Sequence, residues 1–385
     1  MANRETDEHR ARLLAHDGDE ESSHGHKWQS PQSSCLQSSS FVGILLLIVA
    51  TAMFISGTIT MLSSAPRHQD SHNTGHQDQH NHDHGHDDAS CPQPILLCSK
   101  PANRREWRSL TTSERNDFIQ AFRCMSNLPG NWLSNGTLYD DWAHLHGGVG
   151  SWSHRSASFL PWHRYTLLMW ERTLKETCNF HSPIPYWDWT LDWQNLASSS
   201  IWDAETGFGG DGIRGEHTGV GGGSCVTDGP FRDLRPKLYN HTYLEHCLSR
   251  GFNDTMRQPL QALSPESIGA IMRNTTYAGF EKRVEFTLHN GLHEAIGGDF
   301  KALTAANDPI FFLHHAQVDH LWWRWQREDP AARLFQYGGS GLRHMFNSTG
   351  PSTTEDELVS GGFLPDVKVK EVMDTEGGML CYRYS

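Results

Sequence analysis

The 385-residue chain is predicted to be mainly α-helical with long loops, and a single transmembrane helix is expected ahead of its globular part. Three observations support this fold class. One long stretch carries no charge, helix-type patterns with recognisable starts recur after it, and alternating strand patterns are few. With 14 Trp, 17 Phe and only 20% charged residues, most of the chain is expected to be globular rather than disordered.

The uncharged stretch is residues 41–62, FVGILLLIVATAMFISGTITML. As a helix it is long enough to cross a hydrocarbon core of about 30 Å. A cleavable signal peptide would normally begin near the N-terminus with a short basic region. Here residues 1–40 come first, and they are polar and rich in Ser, Glu and His. We therefore expect a retained signal anchor that follows a disordered cytosolic tail.

The orientation of this span is predicted from what lies after it, because Lys27 and Arg67 on its two sides discriminate poorly. Seven cysteines follow the span, and so do five Asn-X-Ser/Thr motifs, at Asn135, Asn240, Asn253, Asn274 and Asn347. Glycosylation and disulfides belong to lumenal or extracellular compartments. The prediction is a single-pass glycoprotein with a cytosolic N-terminus and a lumenal or extracellular C-terminal part.

Residues 63–90 form a second polar stretch. It contains His68, His72, His76, His80, His82, His84 and His86. One interpretation is copper or zinc capture by this tract. The other, which we favour, is a solvated stalk that holds the following domain away from the membrane. A segment of this composition cannot build a rigid metal site by itself.

Residues 91–385 are expected to form one large domain. Helices are predicted at 113–125 with Ser113 as N-cap, at 161–177, and from Asp308-Pro309 to about residue 326. The Gly/Ser-rich stretch 198–229 is predicted to be a long loop. The seven cysteines of this domain allow at most three disulfides and leave one thiol, and their connectivity stays open.

Composition narrows the function before any motif is considered. The formal net charge of −13 argues against a general nucleic-acid-binding protein, which would carry a basic patch. The 25 histidines are the unusual feature of the composition. Some of them belong to the polar tract, and others lie in predicted helices. In a helix core, a histidine is costly unless it is paired or ligates a metal.

In the C-terminal half, His289 and His293 lie four residues apart, so on a helix they project from one face. A pair of surface histidines is the alternative, because this spacing is common. His315 ends an apolar run and shares a face with Asp319, which is placed to support a metal ligand or to orient the helix.

The N-terminal half repeats this arrangement. His154 lies in a predicted loop and His163 in the first turn of a predicted helix, with His144 and His146 upstream as candidates for a third ligand. Three plus three imidazoles on helical supports suit two copper ions. Zinc is the rival metal, but the catalytic zinc pattern needs three ligands and an activating carboxylate, not six histidines in two clusters.

These segments resemble the copper signatures of the tyrosinase family. Residues 154–171 match HxxxxFLxWHRxxLxxxE at every fixed position, residues 308–319 match DPxFFxxHxxxD, and residues 289–298 resemble its HNxxH…GG segment. The resemblance covers nearly all of 91–385 and is closest to short fungal tyrosinases and catechol oxidases. It implies a four-helix-bundle core that holds two copper ions.

The resemblance also implies a ligand set. Copper A would be held by His146, His154 and His163, and copper B by His289, His293 and His315. The register DDWAHLH resembles the family's DDxxxxH, which selects His146 over His144.

The activity implied is oxidation of phenols and o-diphenols to o-quinones, with O₂ as co-substrate. Glu285 and Asn290 resemble the pair that positions a phenol-deprotonating water in family tyrosinases; a solvated helix residue is the alternative for Glu285. Trp152 stands where many fungal tyrosinases have a cysteine, so no thioether to His154 is expected. His320 stands where relatives often have Arg, and we expect it on the helix surface.

Two alternatives stay open. One is an oxidase of o-diphenols or o-aminophenols that does not hydroxylate monophenols, and the other is a non-enzymatic O₂- or copper-binding protein, as in haemocyanins. The substrate class is a small phenol or a tyrosine-containing molecule, with fungal pigment or secondary-metabolite synthesis as the expected context. The sequence does not indicate the oligomeric state.

Overall fold

The computed structural model describes residues 98–215, 219–258, 260–339 and 351–385. The predicted tail, span and stalk lie outside the described residues, and so do Cys91 and Asn347. Within the described ranges, no helix combines the length and the apolar character that crossing a membrane requires.

Helices are the main regular elements of the described chain. They are α1 (Thr112–Met125), α2 (Leu138–Gly147), α3 (Phe159–Cys178), α4 (Pro265–Met272), α5 (Tyr277–Arg283), α6 (Asn290–Ile296), α7 (Ile310–Glu328) and α8 (Pro330–Arg333). A π-helical segment, Val284–His289, joins α5 directly to α6. Short 3-10 helices, among them Gly298–Lys301 and Ala305–Asn307, lie in the connections.

The strands are short and pair two by two. In the parallel pair, β1 (Ala102–Arg104) lies beside β8 (Tyr382–Tyr384), so the two ends of the domain meet. The antiparallel pairs are β2 (Ser224–Cys225) with β5 (Ser249–Arg250), β3 (Leu238–Tyr239) with β4 (Thr242–Tyr243), and β6 (Glu357–Leu358) with β7 (Val367–Lys368). The prediction of a mainly helical domain with long connections is confirmed.

The start of α1 differs from the prediction. The helix begins at Thr112, and Thr111 rather than Ser113 is its N-cap. The Thr111 hydroxyl accepts from the Glu114 amide, while the Glu114 carboxylate accepts from the Thr111 amide. This capping box satisfies two backbone N–H donors at the start of the helix. With Ser113 as N-cap, these two hydrogen bonds would not form. The other two predicted helices correspond to α3 and α7.

The core is aromatic where α1, α3 and α7 meet. Trp170 of α3 stacks on Phe312 of α7 with ring centroids 3.9 Å apart, and the Phe122 ring of α1 lies 4.8 Å from that of Trp170. All three side chains are almost fully buried. Large buried rings contribute strongly to stability and, because interiors are close-packed, they fix the spacing between helices.

A buried ionic network connects α3, α7 and both ends of the domain. Asp319 of α7 accepts from Arg164 Nε at 2.5 Å and from the Tyr384 hydroxyl at 2.6 Å, and it lies 3.6 Å from Arg104 Nη1. Burial by itself would raise the pKa of Asp319, but the two guanidinium groups hold it below its ordinary value. Asp319 therefore serves to orient helix α7, one of the two roles that its sequence position allowed.

Three disulfides form among the described residues, which is the largest number that the seven cysteines of this domain allow. Cys98–Cys381 closes the domain beside the β1–β8 pair, Cys124–Cys178 joins α1 to the end of α3, and Cys225–Cys247 lies beside the β2–β5 pair. Cross-links of this kind stabilise a fold mainly by restricting the unfolded chain.

Replacing Asp319 by alanine is expected to lower the free energy of unfolding by about 3–5 kcal/mol, because the buried Arg164 guanidinium loses its carboxylate partner. Urea unfolding of variant and parent at neutral pH measures this loss. Asp233→Ala is the control, since the ion pair of Asp233 with Arg232 is exposed and should contribute nothing measurable. Equal losses in the two variants would contradict the role of Asp319.

Candidate metal centre

The six histidines selected from the sequence come together in two groups. Four helical regions and one loop carry them: α2, the loop before α3, α3 itself, the π-helical segment with α6, and α7. The first group is His146, His154 and His163; the second is His289, His293 and His315, together with His314. Within each group, the potential ligand nitrogens lie within 4.8 Å of one another. This is the arrangement that one metal ion per group requires.

The two groups face each other. The rings of His163 and His315 are stacked, with centroids 4.1 Å apart and an interplanar angle of 3°. The ring centroids of His154 and His289 are 5.6 Å apart. The groups therefore form one dinuclear centre rather than two separate sites.

A hydrogen bond at Nδ1 orients most of these rings. Backbone carbonyls accept from Nδ1 of His146 at 2.7 Å, His154 at 3.0 Å and His163 at 2.7 Å, and also from Nδ1 of His293. These bonds assign the proton to Nδ1 and leave the lone pair on Nε2. Six Nε2 atoms are buried without a hydrogen-bond partner among the described residues; they belong to His146, His163, His289, His293, His314 and His315. Such atoms are costly unless they ligate a metal.

The seven rings are held neutral. Burial lowers the pKa of His154 and of His293 to about 4. Burial also holds the pKa values of the other five histidines well below the ordinary value, and repulsion from neighbouring imidazoles is the next cause. Neutral imidazoles can bind a metal at pH 7 without first losing a proton.

One short segment orients a histidine of each group. The carbonyl of Leu303 accepts from His146 of the first group, and the carbonyl of Phe300 accepts from His293 of the second. The two carbonyls are three residues apart in the connection between α6 and α7. The position of this segment therefore affects both groups at once.

Asp299 fixes that segment from outside the site. Its carboxylate is fully buried and accepts from the Ser249 amide at 2.9 Å, from His246 Nε2 at 2.9 Å and from Asn307 Nδ2 at 3.0 Å. Burial by itself would lower the pKa of His246, but its hydrogen bond to Asp299 leaves that pKa above the ordinary value. Asp299 thus helps to position His146 and His293 through the backbone segment that orients both rings.

Phenylalanine rings shield the centre. The Phe159 ring lies 4.8 Å from that of His163 and 4.9 Å from that of His289, and the Phe311 ring lies 4.3 Å from that of His315. Both side chains are buried. Packing of this kind excludes water and fixes the rotamers of the imidazoles.

The two predicted catalytic residues lie at the centre and make other contacts there. Glu285 is 1% exposed, and its carboxylate oxygens accept from the Arg155 amide at 2.7 and 3.0 Å. Arg155 directly follows His154 and has a positive φ of 56°. Asn290 Oδ1 lies 2.9 Å from His289 Nδ1 and orients that ring. Glu285 is therefore not a solvated helix residue.

Two neighbouring histidines are placed differently. His146 belongs to the first group, whereas His144 lies against Phe363, with ring centroids 5.3 Å apart, and belongs to neither group. The expectation of a surface position for His320 is wrong: it is 8% exposed, and its ring lies 4.5 Å from that of Tyr186. Helix α7 is buried on all sides along this stretch, so its outward face is also core.

His314 is the member of the site that the sequence analysis missed. It is fully buried, and neither ring nitrogen has a hydrogen-bond partner among the described residues. Its ring lies 5.2 Å from that of His289 and 5.1 Å from that of His293, on the side of the second group. The signal was present in the sequence, because two adjacent histidines ended the apolar run before Ala316.

The residues of the two groups fit a pair of copper ions. The donors are neutral imidazole nitrogens, and neither group contains a carboxylate or a thiolate. Imidazole sites of this kind suit copper. Catalytic zinc normally has three protein ligands and an activated water in one site, and two facing groups of histidines do not reproduce that pattern.

A helical scaffold with two facing histidine groups defines a dinuclear copper protein of the type 3 class. The sequence profile described as the common central domain of tyrosinase matches residues 136–328. The chain belongs to the tyrosinase family, and it is a type 3 copper oxidase.

Several fungal proteins are similar in sequence. The tyrosinase ustQ of Aspergillus flavus is 57% identical over 290 residues, which cover 74% of this chain and 80% of that protein. The tyrosinase-like protein phomQ2 of Diaporthe leptostromiformis is 58% identical over 291 residues, 74% of each chain. The N-acetyl-6-hydroxytryptophan oxidase ivoB of Emericella nidulans is 28% identical over 338 residues, 73% of this chain and 91% of that protein.

Solved structures share the fold. A polyphenol oxidase from Thermothelomyces thermophila aligns with a TM-score of 0.65 at 24% identity, over 74% of this chain and 89% of that one. A functional unit of octopus hemocyanin aligns with a TM-score of 0.50 at 19% identity, over 74% of this chain and 68% of that one. These likenesses support the helical fold.

Copper content distinguishes the two adjacent histidines of α7. His315→Gln is expected to retain one copper ion per chain instead of two. Of the two adjacent histidines, His315 is the one whose ring faces the first group, where it stacks on His163, so its loss should empty the second position. His314→Gln is expected to retain both, since the His289, His293 and His315 nitrogens still surround the second position. Metal analysis after copper loading and dialysis gives the stoichiometry, and the opposite ranking of the variants would exchange the two assignments.

Proposed function

We propose that the chain catalyses the copper-dependent oxidation of phenols and o-diphenols to o-quinones, with O₂ as co-substrate. One observation carries the proposal: two facing groups of neutral imidazoles direct nitrogen lone pairs that have no other partner toward a common centre. Membership of the tyrosinase family supports the same reaction type.

The roles of the residues follow from their contacts. When bound, the copper pair supplies the redox chemistry that passes two electrons from the phenolic substrate to O₂. The Nδ1 hydrogen bonds hold the imidazoles in fixed directions, so little reorganisation is needed during the reaction. Phe159 and Phe311 keep water away from both groups, which protects reactive species from side reactions.

The substrate is proposed to approach beside His154 and His293, the two group members that keep partial exposure. Two exposed apolar side chains lie on segments that contact the centre. Phe286, 46% exposed, follows Glu285, and Leu303, 42% exposed, carries the carbonyl that orients His146. Apolar side chains beside partly open polar groups suit an aromatic ring with a hydroxyl group.

For the substrate we propose a small phenol or a tyrosine-containing molecule, in fungal pigment or secondary-metabolite synthesis. The ivoB protein is named for a hydroxylated aromatic amino-acid derivative, which supports this class. The phenolic ring is the part that the centre would recognise, so the remainder of the substrate is expected to lie outside, near Phe286 and Leu303.

A second candidate is an oxidase of o-diphenols or o-aminophenols that does not hydroxylate monophenols. The contacts of two residues favour it. The Glu285 carboxylate is bonded to the Arg155 amide, and the Asn290 amide oxygen is bonded to His289. Both groups therefore have structural roles that compete with holding a water. A non-enzymatic O₂ carrier shares the fold, but no contact in the site favours that function.

We further propose that this domain is a lumenal or extracellular glycoprotein domain, anchored by residues 41–62 with the N-terminus in the cytosol. The uncharged run and the position of all five glycosylation motifs after it support the proposal. The three disulfides support an oxidising compartment.

Oxygen uptake by the copper-loaded protein tests the proposed reaction. We expect uptake with tyramine or tyrosine as well as with catechol. Uptake with catechol and o-aminophenol alone would select the second candidate, and no uptake with any of them would overturn the proposal. His163→Gln is the control, because it removes a ligand of the first group and should abolish uptake with every substrate.

Glu285→Gln separates the two candidates at one residue. Glutamine still accepts from the Arg155 amide but cannot take a proton, so the monophenol rate is expected to fall about 100-fold or more while the catechol rate changes little. Initial rates with tyramine and catechol measure the split. Glu285→Ala is the matched variant, since it also releases the Arg155 contact and should slow both reactions. A monophenol rate that survives in Glu285→Gln would rule out Glu285 as the proton acceptor.

A further inference from the structure

Two buried carboxyl groups lie in contact beside the centre. Glu281 of α5 is 7% exposed and Glu285 of the π-helical segment is 1% exposed. They are four residues apart on one continuous helix and therefore share a face. Their carboxyl groups are within hydrogen-bonding contact of each other.

The two carboxyl groups have unequal surroundings. Glu285 accepts two hydrogen bonds from the Arg155 amide. Glu281 Oε1 is buried with no hydrogen-bond partner among the described residues. The nearby Tyr277 hydroxyl donates to the carbonyl of Ala157 and is not available to Glu281. Donors stabilise a carboxylate, so the negative charge belongs on Glu285.

Two touching buried carboxylates cannot both be ionised at neutral pH, because each charge repels the other and both are poorly solvated. One proton therefore stays on the pair, and Glu281 holds it. Burial, followed by the charge of Glu285, raises the pKa of Glu281 to about 9, which Lys282 only partly opposes. Burial raises the pKa of Glu285 as well, but the Arg155 amide and the hydrogen bond from Glu281 act in the opposite direction.

We propose that Glu281 is a positioning residue whose protonated carboxyl donates to Glu285 and keeps Glu285 ionised as the acceptor of the substrate phenol's proton. The phenol O–H bond breaks, the proton goes to Glu285, and the phenolate is left free to bind at the metal centre. This inference rests on the monophenol activity proposed above.

Two substitutions at Glu281 test the proposal. They separate the donation of a hydrogen bond to Glu285 from the gain or loss of a proton at position 281. Glutamine donates to Glu285 but does not titrate, and leucine does neither. The first measurement is the ratio of tyramine to catechol rates against pH. This ratio is expected to fall at low pH, where Glu285 becomes protonated, and we call that fall the acidic limb. In Glu281→Leu the acidic limb should move to higher pH by about one unit, because Glu285 loses a hydrogen bond that favours its charged form. In Glu281→Gln that limb should stay in place. An unmoved limb in Glu281→Leu would overturn the positioning role.

The second measurement does not depend on activity. Because the folded-state pKa of Glu281 is raised, the folded state holds this proton more tightly than the unfolded state, so stability is lost as pH rises from the ordinary glutamate pKa toward about 9. The melting temperature of the parent should therefore fall relative to that of Glu281→Gln between pH 5 and about 9. The exposed Glu266 of α4 gives the matched control, and Glu266→Gln should parallel the parent over this range.

The two measurements distinguish the two possible failures. Parallel melting curves for the parent and Glu281→Gln would overturn the shared proton, whatever the enzyme oxidises. Diverging melting curves together with no tyramine turnover in the parent would support the shared proton and overturn the monophenol activity. If Glu281→Leu fails to fold, the comparison of the parent with Glu281→Gln in the melting experiment still decides whether Glu281 carries the proton.

Discussion

The structure depends on one constraint: seven histidines lie close together, five of them buried and two partly exposed, and all of them must stay uncharged. A charged imidazole in this interior would be repelled by its neighbours and poorly solvated, so the rings lose their protons and keep their lone pairs. For most of the rings one nitrogen is fixed by a hydrogen bond, while the other has no partner among the described residues. Folding thus buries several imidazole nitrogens that accept no hydrogen bond, which costs free energy, and a bound metal ion would remove that cost. Copper binding is therefore expected to stabilise the folded protein.

The scaffold has to hold ligands that lie far apart in the sequence. Part of this task falls to the helices, whose relative positions are fixed by aromatic stacking and by Asp319 with its arginine and tyrosine partners. The remainder falls to backbone carbonyls in connections, such as Leu303, which orients a histidine 157 residues away. Distant, non-helical segments are therefore as important to the geometry of the centre as the helices that carry the ligands.

The sequence predicted the parts of this arrangement that have a local signature. Spacing and the copper signatures selected six histidines, and all six lie in the two groups. The errors came from effects that spacing does not encode. His320 was expected on the helix surface because relatives often have Arg there, but α7 is buried on all sides from Ile310 to Trp322, so this face is core as well. His314 was passed over because the signature assigns one histidine of the adjacent pair. The Nδ1 acceptors and the Asp299 contacts join distant segments, and no single-sequence pattern predicts them.

Glu285 shows how one side chain can join the two halves of the centre. It lies on the helix that leads to the second group, and it bonds the amide that follows His154 of the first. That amide belongs to Arg155, a non-glycine residue with a positive φ, a conformation that costs about 1 kcal/mol or more and persists only where its surroundings enforce it. A carboxylate is suited to this task because its two oxygens can both approach one N–H. The same charge makes it a base, so the orientation of His154 and the acceptance of a proton would depend on a single ionised group. Reactions that protonate Glu285 would then loosen the loop of the first group, which couples proton transfer to the geometry of the ligands.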